Sequence, residues 1–170
     1  MRFRPLSPAL LLLALATLWV TAGDDAPAAA PEFSAETLDG QTVALSDYRG
    51  RVVLLDFWAS WCGPCLQEMP FLVELQNAHA DSEMIVLAVN IDNKAANARR
   101  FLEKLPAQPA FPILLDPGKT IPPLYDLEAM PTTVLIDRGG NIRFRHNGFS
   151  DDHRERITTE VETLLNEATH

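Results

Sequence analysis

No segment restricts the possible fold of this chain as strongly as residues 52–65. Val52 to Trp58 is a near-continuous apolar run, and shortly after it stand both cysteines of the chain, Cys62 and Cys65, at the opening of a helical pattern. Such a run is expected of a strand buried on both faces in a covered sheet. The first turn of the following helix offers unpaired N–H groups and the positive end of the helix dipole, both of which stabilise a thiolate. Cys62 is expected at that end, where a thiol pKa falls from about 8.5 toward about 7 or lower. Cys65, one turn on, lies within reach of it. Pro64 suits a first turn because its missing N–H would find no intrahelical acceptor there. The pattern is that of a redox-active pair. A structural zinc site normally takes four ligands, whereas a second cysteine pair is absent and the four histidines are scattered singly. A purely structural disulfide closing so short a loop would constrain the unfolded chain little.

The stretch Asp56-Phe57-Trp58-Ala59-Ser60-Trp61-Cys62-Gly63-Pro64-Cys65 resembles the active-site segment of the thioredoxin superfamily. The residues that follow, Leu66-Gln67-Glu68-Met69-Pro70, resemble its TlpA/ResA-type branch of secreted or membrane-tethered thiol-disulfide oxidoreductases. Further on, Ala129-Met130-Pro131-Thr132-Thr133-Val134-Leu135-Ile136-Asp137 resembles that family's cis-proline loop and following strand. The likeness runs from about Phe33 to the C-terminus. It implies an α/β fold: a thioredoxin-like three-layer sandwich with a mixed central sheet, an N-terminal β-hairpin and an inserted strand-helix unit. It also implies exchange with protein thiols and disulfides, without a cofactor or metal, and reduction by a membrane thiol-disulfide electron donor. Apocytochrome c with oxidised haem-attachment cysteines is the family's best-known substrate class. A monomer is expected.

The N-terminus bears on location. Arg2 and Arg4 precede a leucine-rich apolar run from Ala9 to Val20, and Val20-Thr21-Ala22 stands before Gly23, a secretory signal pattern. Leu6 to Ala22 carries no charge and approaches the lower length limit for a spanning helix, so residues 1–22 are either a cleaved signal peptide or an N-terminal membrane anchor. The interruptions at Ser7, Pro8 and Thr17 favour cleavage. Either way the pair is expected in the periplasm or another extracytoplasmic compartment, which would oxidise it unless something keeps it reduced. The chain has 14 Lys+Arg against 23 Asp+Glu; without Arg2 and Arg4 the balance is 12 against 23, a net charge of −11. That acidity argues against nucleic acid and anionic membrane surfaces as partners.

Residues 23–32 read as a flexible alanine and proline leader, and residues 33–170 as the folded domain. Asp39-Gly40 separates the alternating segments Phe33 to Leu38 and Gln41 to Leu45, a hairpin signal. Ser46 to Gly50 reads as one helical turn. The cysteine helix should continue to about His79, kinked at Pro70. Met84 to Asn90 reads as a second buried strand, Lys94 to Leu105 as a helix and Phe111 to Leu115 as a third strand. This alternation argues for right-handed crossovers and a parallel sheet centre. Lys94 to Leu115 resembles the unit that the TlpA/ResA branch inserts. Pro122-Pro123 departs from the short helix that relatives run there. Thr132 to Asp137 and Asn141 to His146 form an edge hairpin around Arg138-Gly139-Gly140. Asp151 to Ala168 is a final helix presenting Ile157, Val161, Leu164 and Leu165 to the sheet.

Thiol-disulfide exchange needs an attacking thiolate, a resolving thiol and a surface for the partner's sulfur. Cys62 takes the first role and Cys65 the second. Asp56 interrupts an apolar strand, where an unpartnered ionised carboxylate is costly to bury and a raised pKa would suit proton exchange; a partly exposed position near the strand end is the other reading. The resemblance implies that Glu68 is an active-site carboxylate tuning the pair, against a solvated helix glutamate. It also implies a cis Met130–Pro131 bond facing the cysteines, with Met130 backbone groups pairing an extended substrate. Trp61, Gly63, Pro64, Met130 and Pro131 are therefore the expected substrate surface, although Trp61 could simply pack. Gly63-Pro64 resembles the dipeptide of reducing thioredoxins. Trp58 reads as core, His79 and His153 as surface residues, and no chemistry is assigned to any histidine. Two rivals stand beside this reading. A thiol peroxidase would usually have threonine where Ala59 stands, and a copper(I) metallochaperone would carry its metal on Cys62 and Cys65.

Overall fold

A computed structural model describes residues 27–167. The signal or anchor expected over residues 1–22 lies outside the described residues. Seven strands and three α-helices follow one another as β1 (Ser34–Thr37), β2 (Thr42–Ala44), β3 (Val52–Trp58), α1 (Cys65–Ala78), β4 (Met84–Asn90), α2 (Ala95–Leu102), β5 (Ile113–Leu115), β6 (Thr132–Ile136), β7 (Ile142–Asn147) and α3 (Asp151–Asn166). The strands form one mixed sheet in the order β2-β1-β5-β4-β3-β6-β7. At its centre β3 pairs in parallel with β4 and antiparallel with β6, and it is buried along its whole length, as its apolar run requires. The inserted unit joins the sheet interior, because β5 lies between β4 and β1.

Side-chain alternation along β3 sorts the two outer layers. Trp58 packs on Phe101 of α2 at 4.8 Å between ring centroids, and Asp56 on the same face lies beside Glu68 of α1. The α3 helix packs beside α1, where Phe149 stacks on Phe71 at 5.6 Å and the Arg154 guanidinium lies 4.8 Å above the Phe71 ring. The other face carries a thinner layer. Phe57 meets Tyr125 at 5.5 Å, and Val53 lines a small gap with Leu45 and Tyr48. Both covering segments are single 3-10 turns, Leu45–Tyr48 and Pro122–Tyr125. The Pro122-Pro123 departure is accommodated because both prolines open such a turn, where no N–H is needed. The architecture is the thioredoxin-like sandwich, with helices on one face and short turns on the other.

Several boundaries differ from expectation. The leader expected over residues 23–32 is docked in its described part: Ala29 forms an antiparallel bridge with Asn141, the Ala30 N–H donates to the Gly140 carbonyl at 2.9 Å, and the Tyr125 hydroxyl donates to the Pro31 carbonyl at 2.7 Å. Its alanines and prolines lack periodicity, yet their backbone groups find partners at the β6–β7 turn. Arg49 secures this junction by donating to the Gly139 carbonyl and pairing with Glu32. The helix expected over Lys94 to Leu105 ends at Leu102, with Leu105 still buried in the turn beyond. The last helix ends at Asn166, where Arg138 donates to the carbonyls of Leu164 and Leu165. His79 and His153, expected at the surface, are both half-buried, and His153 Nδ1 lies 3.0 Å from the Gly148 carbonyl.

Candidate active site

The chain leaves β3 at Trp58 and turns sharply, with the Cys62 N–H donating to the Ala59 carbonyl at 3.1 Å. Cys62 therefore belongs to the turn before α1, three residues ahead of its first residue, and not to the first helical turn expected for it. The helix begins at Cys65, with Pro64 as its cap residue in helical conformation. The physical premise nevertheless holds, since the Cys65 N–H, an unpaired donor of the first turn, points at the Cys62 sulfur at 3.2 Å. The two sulfurs are joined in a disulfide of 2.02 Å. Cys62 is 5% exposed and Cys65 1%.

Two buried carboxyls stand on the elements that flank this pair, Asp56 in β3 and Glu68 in α1. Glu68 stands three residues after Cys65, on the same buried stripe of α1 as Cys65, Met69 and Leu72. It is not a solvated helix glutamate: its Oε1 accepts a 2.8 Å hydrogen bond from the Thr133 hydroxyl, and its Oε2 is buried without a partner among the described residues. Asp56 is fully buried, which excludes the partly exposed reading, and neither of its oxygens has a hydrogen-bond partner among the described residues. Strand register explains the grouping. Asp56 lies opposite Thr133 on one side and Ala88 on the other, so Asp56, Thr133 and Glu68 share one pocket between β3, β6 and α1. Loss of hydration raises both acids. Asp56 rises well above the usual carboxylate range through burial and then through the Glu68 charge. Glu68 is pushed up to about 7 by burial, opposed by the Thr133 hydroxyl and by Asp56. Two carboxyls so close in an apolar pocket titrate as a coupled pair that retains a proton near neutral pH.

The rim is apolar and open. Trp61 is 64% exposed, which excludes simple packing, and Leu66 is 48% exposed in the first turn of α1. The Met130–Pro131 peptide bond is cis, with Met130 half-buried and Pro131 buried. Around it the Thr132 hydroxyl donates to the Ala129 carbonyl at 2.8 Å, and the Gly148 N–H donates to the Pro131 carbonyl at 2.7 Å. The N–H and carbonyl of Met130 have no partner among the described residues. Gly63 has open space where a side chain would stand. Trp58 is fully buried, as expected, and its indole N–H has no partner among the described residues.

Residue patterns alone missed Thr133, Leu66 and Asp92. Asp92 is a buried carboxylate that grips Ser60 in the turn before Cys62. Thr133 was discoverable only by pairing two strands in register, and nothing local singles out Asp92.

This geometry has counterparts. A family model described as Redoxin matches residues 21–165. The thiol-disulfide oxidoreductase ResA of Geobacillus thermodenitrificans (strain NG80-2) is 37% identical over 114 residues, covering 67% of this chain and 64% of that protein. The chain thus spans slightly under two thirds of the length of this relative. Thioredoxin-like protein YneN of Bacillus subtilis (strain 168) is 41% identical over 122 residues, 70% of this chain and 69% of YneN. A crystal structure from Chlorobium tepidum, described as a thiol:disulfide interchange protein DsbE, superposes with a TM-score of 0.78 at 39% identity, covering 84% of this chain and 99% of that one.

Proposed function

The chain belongs to the redoxin family, and from that premise we propose that it is an extracytoplasmic thiol-disulfide oxidoreductase that reduces disulfides in partner proteins. The observation that carries this reading is the Cys62–Cys65 disulfide at the head of α1, with a helix N–H on the Cys62 sulfur and an unpaired backbone edge at Met130 beside a cis-proline. A ResA relative and a DsbE-like structural neighbour support the same chemistry.

The reaction begins with reduction of the Cys62–Cys65 disulfide by two electrons from a membrane thiol-disulfide donor. Cys62, as thiolate, attacks one sulfur of the partner disulfide; a mixed disulfide forms and the partner's other sulfur leaves as thiolate. The Cys65 thiol then gives up its proton and attacks the Cys62 sulfur, which re-forms the internal disulfide and releases the reduced partner. The Glu68–Asp56 pair receives that proton, a role suited to carboxyls whose burial brings them toward neutral pH. The partner segment lies extended across Met130, whose N–H and carbonyl add it as a short strand, a mode that tolerates many sequences. Trp61, Leu66 and the open backbone at Gly63-Pro64 contact its apolar groups.

Residues 1–22 act as a cleaved signal or an anchor and set the domain outside the cytoplasm, where the protein works as a monomer. Oxidised apocytochrome c is the favoured substrate class. A peptide carrying a Cys-x-x-Cys-His disulfide tests this reading. The reduced protein should open it stoichiometrically, a Cys62→Ser variant should leave it intact, and failure of the wild-type protein to reduce it would remove the assignment.

A further inference from the structure

The turn that presents Cys62 is held from outside the cysteine motif. Asp92 follows β4 and is 4% exposed. Its Oδ2 accepts from the Ser60 backbone N–H at 2.9 Å, and its Oδ1 accepts from the Ser60 hydroxyl at 2.8 Å. Oδ2 accepts a third bond, from the Asn90 side-chain amide at 2.8 Å, while the Asp92 N–H donates to the Asn90 side-chain oxygen at 3.1 Å. The Ile91 N–H donates to the Trp58 carbonyl at 3.1 Å, so the exits of β3 and β4 are bound at two points. Ser60 is a central residue of the turn closed by the Cys62 N–H on the Ala59 carbonyl. A carboxylate buried with three donors is costly to disturb, because each lost bond leaves a charge partly unsatisfied.

We propose that Asp92 is a positioning residue whose two-oxygen grip on Ser60 sets the turn and thereby keeps the Cys62 sulfur on the Cys65 N–H, which determines the reactivity of Cys62. Asp92 makes no hydrogen bond to either cysteine among the described residues, and its effect passes through the backbone of residues 60–62. The contact that stabilises the Cys62 thiolate depends on where the turn places the sulfur. A displaced turn therefore leaves Cys62 protonated to a higher pH and slower at neutral pH. Misplacement by about 1 Å can cost on the order of a hundredfold in rate, and loss of one bond of the grip should cost less, about threefold to tenfold.

This inference rests on the exchange reading above, but its test does not. Iodoacetamide alkylation of Cys62 in the reduced full-length protein, followed by peptide mass spectrometry across pH, needs no disulfide substrate. Ser60→Ala, which deletes one bond and no charge, should move the alkylation midpoint to higher pH and slow the reaction about threefold to tenfold at pH 7. Ser60→Thr keeps both donors and should restore the rate to within about twofold of wild type. Asp92→Asn removes the charge but can keep both contacts, its Oδ1 accepting from the Ser60 N–H and its amide donating to the Ser60 hydroxyl oxygen, and should stay within about twofold of wild type. Should that variant fail to fold, the Ser60 pair decides alone. A Ser60→Ala protein alkylated at the wild-type rate would overturn the proposal. So would an Asp92→Asn protein faster than wild type by more than that, since it would make the Asp92 charge, not its grip, the operative property. Inactivity of the wild-type protein on the disulfide peptide would instead defeat the exchange reading and leave these comparisons intact.

Discussion

In a Glu68→Gln variant the side chain keeps its shape and its acceptor for the Thr133 hydroxyl, but it can no longer carry charge in the pocket it shares with Asp56. The consequence for stability follows from the raised pKa. Folded Glu68 holds its proton up to about 7, whereas the ordinary glutamate value is 4.5. Between these values the native state binds more protons than the unfolded one, so the contribution of Glu68 falls as pH rises. That contribution is fully present below about pH 4.5 and is lost by the time pH has passed about 7. At ~1.4 kcal/mol per pH unit, the gap amounts to roughly 3 kcal/mol. The glutamine of the variant escapes this cost, and its amide can also donate to the unpartnered Asp56 oxygens. Urea unfolding of the oxidised proteins between pH 4 and 8.5 measures the difference directly. The two should be nearly equal at pH 4.5, and the variant should be more stable by roughly 2–3 kcal/mol at pH 8. A difference that does not change with pH, or a variant less stable at pH 8, would refute the reasoning. The same variant should resolve mixed disulfides more slowly, because Cys65 loses a proton acceptor; the added stability comes with a loss of activity.

Other outcomes follow from single contacts. Thr133→Val removes the hydroxyl that lowers the Glu68 pKa, so the midpoint of the pH–rate profile for single-turnover reduction should move upward; a downward shift would contradict the assignment. Cys65→Ser should trap the covalent complex through Cys62, visible by mass spectrometry as the protein plus one partner peptide, and an equally rapid adduct through Cys65 in a Cys62→Ser variant would contradict the role of Cys62 as the attacking sulfur. Gly140→Ala should destabilise the fold by about 1–3 kcal/mol. Gly140 has φ +83°, and an added Cβ would displace the guanidinium of Arg49, the residue that secures the docked segment at residues 28–32. Its unfolding midpoint should drop while Cys62 alkylation stays at the wild-type rate, because the β6–β7 turn lies at the opposite end of β6 from Pro131.

The elements legible from the chain were those whose signal is local. The apolar run at Val52 to Trp58, the hairpin turn at Asp39-Gly40, the helix stripe Ile157, Val161 and Leu164, and the cysteine spacing all lie within a few residues of themselves, so each could be read without a neighbour. The resemblance at Met130-Pro131 supplied the cis-proline loop, which spacing alone does not reveal. At the cysteine motif the first helical turn opens only at Cys65, because the chain first turns at residues 59–62 to leave β3.

What the tertiary structure decided concerns residues brought together from distant positions. Asp56 was a suspicious charge in an apolar strand, but only the pairing of β3 with β6 sets Thr133 opposite it, and only the α1 crossover lowers Glu68 onto both. Asp92 carries no local signature, yet the parallel pairing of β3 with β4 brings its carboxylate to Ser60. Residues 28–31 likewise read as a leader until the β6–β7 turn supplies their backbone partners. The physical reason is common to all three. Periodicity and spacing act along the chain, whereas the burial of a charge and the donors that satisfy it depend on sheet register and crossover, which no single segment contains.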